Sequence, residues 1–356
     1  MKEIFVFGAG ASKASGDLPL GSELIWHYHR DCCEAKLIKN GSVDITRENV
    51  RFSNFQRFLE LAAKEYPELH GEIEKWVGRG IYMYDPSFLY GYGSKQYYVD
   101  DLLKRLQEKG DIGGTELIKR LIFEHIGETS QDTENTLYKD FVVNILKGKA
   151  INDVSIISFN FDFLLHEDFR NKVYFDYLLD FHWIDPNREI KYKKQNPIPL
   201  IKLNGSLDWG LCRKCHRLFL YFENKNSCLY YNGQVCSEGC DGTIDPFIIM
   251  PHQKYRDIIN VLWEKARNEL SKAEKITIIG YSFPEYDENA RALFKNSVKE
   301  NVILEVIDYC RSDKNKNNSI ERIKAKYKYL FPHLKDEPQI SLGGFGEYLR
   351  GVKQNQ

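Results

Sequence analysis

Ile4-Phe-Val-Phe-Gly-Ala-Gly-Ala-Ser12 sets four consecutive apolar residues directly against a run of glycine, alanine and serine. The apolar four make a short buried strand, and Gly8 and Gly10 let the backbone turn tightly into a helix. Helix N-termini present unpaired N–H groups and a partial positive charge, so a loop without bulky side chains lets a pyrophosphate approach closely. Ala9 keeps that loop small and Ser12 adds a hydroxyl donor. The usual dinucleotide fingerprint carries a third glycine three positions after the second, where this chain has Lys13. Taken alone, the loop is equally well a tight turn opening an α/β domain.

The same grammar returns near the other end. Lys275-Ile-Thr-Ile-Ile-Gly280-Tyr-Ser282-Phe283 is again an apolar strand followed by glycine and serine at a turn, with a helix from about Asp287. Further strands are expected at Val154–Phe159, Pro199–Leu203, Asp245–Pro251 and Val302–Asp308, and helices at Ser22–Asp31, Ile258–Ala273 and Ile320–Leu330, with a short closing one at Gly346–Leu349. Alternating strands and helices predict an α/β fold built on a doubly wound, mostly parallel, Rossmann-like sheet.

Helical periodicity dominates between the first strands. Phe55, Phe58, Leu59 and Ala62 share a face, as do Tyr98, Leu102, Leu103 and Leu106, then Leu117, Leu121 and Ile122, then Leu137, Phe141 and Ile145. The expected division is a core from residues 1–30, 151–208 and 246–356, a helical insertion over 31–150 and a metal module over 209–245. The tyrosine- and glycine-rich Gly78–Gly93 reads as a loop inside the insertion.

With 50 basic and 51 acidic residues the formal net charge is -1, so no global field favours nucleic acid or an anionic membrane. The chain opens into a strand without a leader of basic then apolar residues, and no stretch reaches the length of a membrane span, so a cytoplasmic protein is expected. Of eight cysteines, five fall in one window (Cys212, Cys215, Cys228, Cys236, Cys240), which in a large cytoplasmic protein argues for metal over disulfides. Cys212-Arg-Lys-Cys215 and Cys236-Ser-Glu-Gly-Cys240 have nearly the spacing of a closed, structural four-thiolate zinc site. The second knuckle has one intervening residue more than usual, with Cys228 or His216 as alternative ligands and metal-free reduced cysteines as the competing reading.

Four stretches in order carry a family resemblance: GAGAS with Gly16-Asp-Leu-Pro19, Ser158-Phe-Asn160-Phe-Asp162, Lys202-Leu-Asn204-Gly-Ser206 before the cysteine knuckles, and Gly280-Tyr-Ser282 before Asp308. Together they resemble the sirtuin superfamily, and the spacing with its helical insertion resembles the prokaryotic sirtuin-like branch that degrades NAD in antiphage defence. The resemblance implies that Gly8, Gly10 and Ser12 hold the NAD diphosphate and that Asn160 and Asp162 lie at the nicotinamide and its ribose. It further implies a second phosphate-side turn at Gly280 and Ser282, and contact of Asp308 with the adenosine ribose. Chemistry agrees at Asn160 and Asp162, since an amide oxygen or carboxylate stabilises the oxocarbenium character of glycosidic cleavage, although Asn-X-Asp at a strand end is also ordinary turn chemistry.

The departure is Asn204, where the family has a histidine acting as general base. An amide orients a hydroxyl but cannot take its proton. Three accounts fit: an engineered inactive variant, a pseudoenzyme that binds NAD, or a hydrolase that manages without this base, with His252 and His166 as conceivable substitutes. The resulting expectation is an NAD hydrolase releasing nicotinamide and ADP-ribose, homo-oligomeric and working with a defence-system partner. The alternatives are a sensor that binds NAD or ADP-ribose without turnover and, less favoured, a protein deacylase.

Overall fold

Phe5 and Phe7 project from one side of the first strand and Ile4 and Val6 from the other, and all four are buried, so both faces of that strand are covered. The structure is a computed structural model; it describes residues 1–16, 18, 54, 57–62, 64–66, 99–132, 136–147, 149, 152–167, 175–183, 197–220, 235–236, 239–249, 257–285, 287–310 and 316–354.

In chain order, β1 (Glu3–Phe7) passes through Gly8 into α1 (Ala9–Gly16). Next come α2 (Val99–Glu108), α3 (Ile112–Asp132) and α4 (Thr136–Phe141), the last continuing into a π-helical turn, Val142–Leu146. They are followed by β2 (Val154–Ser158), α5 (Leu164–Glu167), β3 (Phe175–Asp176), β4 (Phe181–Trp183), β5 (Ile198–Lys202), β6 (Gly205–Cys212), β7 (Leu218–Leu220) and β8 (Ile244–Ile248). The chain closes with α6 (Asp257–Leu270), β9 (Lys275–Ile279), α7 (Glu288–Ser297), β10 (Ile303–Ile307), α8 (Lys316–Leu330), β11 (Gln339–Ser341) and α9 (Gly344–Gln354).

Seven strands form one sheet in the order β11-β10-β9-β1-β2-β5-β3, with every pairing parallel. Leaving aside the two-residue edge strand β3, this is the 3-2-1-4-5-6 order of a doubly wound sheet. The chain builds outward from β1 through β2 to β5, then returns to β9 and builds the other way. The order therefore reverses between β1 and β9.

Side-chain parity shows that helices cover both faces. Glu3, Phe5 and Phe7 share a face; Phe5 and Phe7 meet Phe141 of α4 edge-on at 4.9 and 5.1 Å, and Phe7 meets Phe345 of α9 at 5.8 Å. The opposite parity carries Lys2 and, through the pairing of Ile4 with Ser155, Ser155; both bind Glu269 of α6. Near α7, Phe283 meets Phe294, and Phe331 just beyond α8 meets both rings.

The chain divides into two compact units, Met1–Leu18 with Gly127–Gln356, and Pro19–Ile126. In the first unit, Tyr138 and Phe141 of α4 are buried and pack on the sheet against Phe5 and Phe7. Within the second unit, Leu59, Leu102, Leu103, Leu106, Ile118 and Ile122 are buried, and Arg105 lies over the Tyr66 ring at 4.6 Å. The expected helix Ser22–Asp31, the loop Gly78–Gly93, Phe55 and Tyr98 lie outside the described residues.

A second sheet, β4-β7-β6-β8, contains a strand that the sequence reading omits. Gly205–Cys212 is buried throughout, and the period-2 signal was present in Leu207, Trp209 and Leu211. Among the described residues, no helix is long and apolar enough to cross a membrane.

Candidate functional site

The two glycine turns expected from the sequence meet where the strand order reverses. Gly8 N–H donates to Ile279 O and Gly10 N–H to Gly280 O, each at 3.0 Å. A side chain at Gly8 would bring its Cβ within 2.6 Å of Gly280 O; Gly280, at φ +64°, would bring a Cβ within 2.3 Å of Ala11 N. Only glycine permits backbone to press on backbone in this way. Ligands of open α/β sheets bind outside the carboxyl ends of the strands at such a reversal. Ala9 is exposed and Gly10 half-buried at the head of α1.

One turn into α1, Ser12 is buried and donates to Asp162 Oδ2 at 2.7 Å. Asn160, beyond the end of β2, sends Nδ2 to Ser12 Oγ at 2.8 Å and to Gly8 O at 2.9 Å. Because Gly8 O can only accept, the amide nitrogen faces inward and Oδ1 outward; among the described residues Oδ1 takes part in no hydrogen bond. Asp162 Oδ1 accepts from Leu164 N at 3.1 Å and so caps the start of α5. Ser12 and the Asn160–Asp162 segment, far apart in the sequence, thus form one buried polar cluster.

Two members were not foreseen. Tyr138 of α4 places its hydroxyl 3.0 Å from Ser12 Oγ and 3.3 Å from Asn160 Nδ2. Burial, reinforced by the charge of Asp162, pushes its phenol well above the ordinary tyrosine range, so it remains a donor at any physiological pH. The helical spacing in this stretch is carried by its neighbour Leu137 with Phe141 and Ile145, so periodicity does not single Tyr138 out. Lys202, at the end of β5, is buried and donates to the Asp162 carbonyl and to Phe161 O at 3.5 Å. Burial lowers its pKa, against the opposing charges of Asp208 and Asp162. A lysine closing an otherwise apolar strand was the available signal.

Asn204 lies in the turn between β5 and β6, where Gly205 has φ +73° and a Cβ would be 2.2 Å from Phe247 O. The Asn204 amide donates to Phe159 O at 2.9 Å, and Ser206 Oγ to Phe161 O at 3.3 Å. Alternate residues 202, 204 and 206 therefore all donate into the carbonyls of the segment that carries Asn160 and Asp162. A histidine Nδ1–H is the imidazole group able to occupy the same bond.

Ser282 and Asp308 sit one and two strands over from β1. Ser282 is exposed and its carbonyl accepts from Lys326. Asp308, half-buried, accepts from Tyr309 N through Oδ1 at 2.8 Å, while its backbone bonds Ser341 O and Gly344 N, both at 2.9 Å. Neither makes a hydrogen bond to Ser12, Asn160 or Asp162 among the described residues.

Away from this edge, Cys212, Cys215, Cys236 and Cys240 converge so that their sulfurs lie within 4.8 Å of one another, with Cys212–Cys240 at 3.4 Å and Cys215–Cys236 at 3.7 Å. Zn–S bonds of about 2.3 Å in a tetrahedron separate sulfurs by about 3.8 Å, so the set fits a zinc ion. Burial alone would raise the Cys212 thiol, but the amides of Cys215 and Lys214 and the neighbouring thiols outweigh it and bring it to about 6. His216 is exposed and outside this set; Cys228, His252 and the side chain of His166 lie outside the described residues.

No protein-family model matches the chain, and no curated protein matches it. Among solved structures, it is similar to one described under the mechanism and regulation of Sir2 enzymes, with TM-score 0.43 and 13% identity over 99% of this chain and 90% of the other. A Sir2 homologue in complex with NAD gives 0.41 and 13% over 73% and 79%. A mutant Sir2 homologue with 2'-O-acetyl ADP ribose gives 0.41 and 16% over 73% and 82%. These solved structures to which the chain is similar are all Sir2 proteins.

Proposed function

We propose that the chain is a sirtuin-like NAD hydrolase, cleaving the bond between nicotinamide and ribose and adding water to give nicotinamide, ADP-ribose and a proton. The observation that carries this reading is the outward Oδ1 of Asn160, held at the carboxyl edge of the sheet beside the reversal of strand order. When the C1'–N bond breaks, nicotinamide leaves with the bonding pair and the ribose carbon turns cationic. A fixed amide oxygen and the Asp162 carboxylate supply negative potential without reorganising. Gly8, Ala9, Gly10 and Ser12 border the diphosphate, the turn at Gly280 and Ser282 its far side, and Asp308 the adenosine ribose.

The four cysteines hold a structural zinc, which closes the small sheet and takes no part in the reaction. The link to antiphage defence, with a homo-oligomer and a partner protein, rests on the sequence resemblance. A second reading, a sensor that binds NAD or ADP-ribose without turnover, is favoured by one observation: Asn204 offers no titrating group and has its amide nitrogen committed to Phe159 O.

Turnover of NAD by the chain beside its Asn204→His and Asn160→Ala variants tests the reading. The chain should bind NAD and cleave it slowly. Histidine at 204 should raise the rate by about 10² to 10⁴, the usual worth of a general base, and Asn160→Ala should abolish cleavage. A rate that histidine does not improve moves the base elsewhere, with His252 next to test. Cleavage by neither the chain nor Asn204→His rejects the hydrolase, and NAD binding without it leaves the sensor.

A further inference from the structure

A hydrogen-bonded cluster has a direction, and here it can be worked out from the ends. Asp162 Oδ2 and Gly8 O only accept. Ser12 has one hydrogen, committed to Asp162 at 2.7 Å, so toward its other neighbours Ser12 Oγ is an acceptor. It receives Asn160 Nδ2 at 2.8 Å, and the Tyr138 hydroxyl, 3.0 Å away, must be the donor of that pair. With its hydrogen spent on Ser12, the Tyr138 oxygen accepts the longer contact from Asn160 Nδ2 at 3.3 Å. The serine hydrogen therefore points at Asp162 and the tyrosine hydrogen at Ser12, while the two Asn160 amide hydrogens serve Gly8 O and Ser12 Oγ, the second shared at longer range with the Tyr138 oxygen; every acceptor near Asn160 asks for its nitrogen.

We propose that Tyr138 is a positioning residue that fixes which end of the Asn160 amide faces out of the cluster, on the reading that Asn160 Oδ1 stabilises the ribosyl cation. An inverted amide would set Oδ1 against Gly8 O, two acceptors with no hydrogen between them, and would leave the Tyr138 and Ser12 oxygens without its N–H groups. Gly8 O resists inversion by itself. Tyr138 adds to that resistance twice, by accepting from Asn160 and by donating to Ser12, which keeps the serine hydrogen directed at Asp162.

The residue is built for constancy. Its side chain is buried, its ring lies edge-on to Phe7 at 5.3 Å and to Phe345 at 5.6 Å, and its backbone N–H donates to Ser15 Oγ at 3.3 Å. Those contacts hold the ring without help from the hydroxyl. Directly after α4 comes the π-helical turn Val142–Leu146, a departure that often accompanies functional sites.

Tyr138→Phe removes the hydroxyl and keeps the ring. In the chain, and in Asn204→His as the faster background, kcat for NAD cleavage should fall about 5- to 10-fold, the loss of one net hydrogen bond, with the Kd for NAD changed less than twofold. A readout independent of turnover is hydrogen exchange of the Asn160 side-chain amide, identified by its loss in Asn160→Ala. It should quicken about tenfold in Tyr138→Phe while the melting temperature holds. Unchanged exchange with unchanged kcat overturns the proposal, as does a parallel loss of kcat, NAD affinity and melting temperature, which marks a merely structural residue. Should neither background cleave NAD, the hydrolase reading falls, and unchanged exchange would then overturn the placement of the amide as well.

Discussion

An asparagine amide has two ends of nearly equal shape, and at positions 160 and 204 a backbone carbonyl decides which end turns inward. The residue types and their order were legible in the sequence, because Asn-X-Asp at the end of an apolar strand and a polar residue before Gly205 are local patterns. The orientation of each amide was not, since Gly8 O and Phe159 O reach them from other segments. Asp308 illustrates the same limit. Its place after an apolar strand was readable, whereas the bond of Oδ1 to Tyr309 N, which leaves Oδ2 without a hydrogen bond among the described residues, belongs to the fold. Asp308→Ala should weaken NAD binding by about 1 to 3 kcal/mol, the cost of losing a hydrogen bond to a charged group. Calorimetric titration with NAD checks this, and an unchanged Kd removes Asp308 from the site.

Among elements, the glycine turns and the cysteine knuckles were visible as spacing, while their partners were not. The turn after β1 needs glycine chiefly because the turn after β9 presses on it, a contact between residues 8–11 and 280–281. Likewise β6 carries period-2 alternation, but its pairing with both β7 and β8, which sets Cys212 opposite Ile244, joins segments that no local pattern links. The four sulfurs should bind one zinc per chain, because closed thiolate sites hold the metal tightly. Metal analysis of protein prepared without added zinc should find about one equivalent, and chelation under denaturing conditions should prevent refolding of the small sheet. A metal-free preparation that refolds with unchanged stability rejects zinc at these cysteines.

At the scale of the whole molecule, charged pairs fasten the sheet to its helices at the end opposite the site. Lys2 bridges to Glu269 of α6 at 2.7 Å, and Ser155 of β2 donates to the same carboxylate at 2.6 Å. Half-burial alone would raise the Glu269 pKa, but the bonds from Lys2 and Ser155 outweigh it and hold it below the ordinary value. A depressed carboxylate contributes stability that is fully present above its unfolded pKa, near 4.3, and is lost as pH falls through the lower folded value. Glu269→Gln should therefore cost about 1 kcal/mol at pH 7 and progressively less below pH 4, as measured by urea unfolding across that range. A penalty independent of pH would assign the loss to packing. The sequence by itself determined the fold class, the core strands apart from the short β3 and β11, the paired cysteine knuckles and the polar residues at strand ends, because apolar runs, turn residues and cysteine spacing act over a few neighbouring positions. Only the tertiary structure decided the strand order with its reversal between β1 and β9, the packing of Tyr138 and Phe141 on the sheet, and the meeting of Ser12, Tyr138, Asn160 and Asp162. Those depend on contacts between segments far apart in the chain, and no local pattern records which distant partner will satisfy a buried polar group.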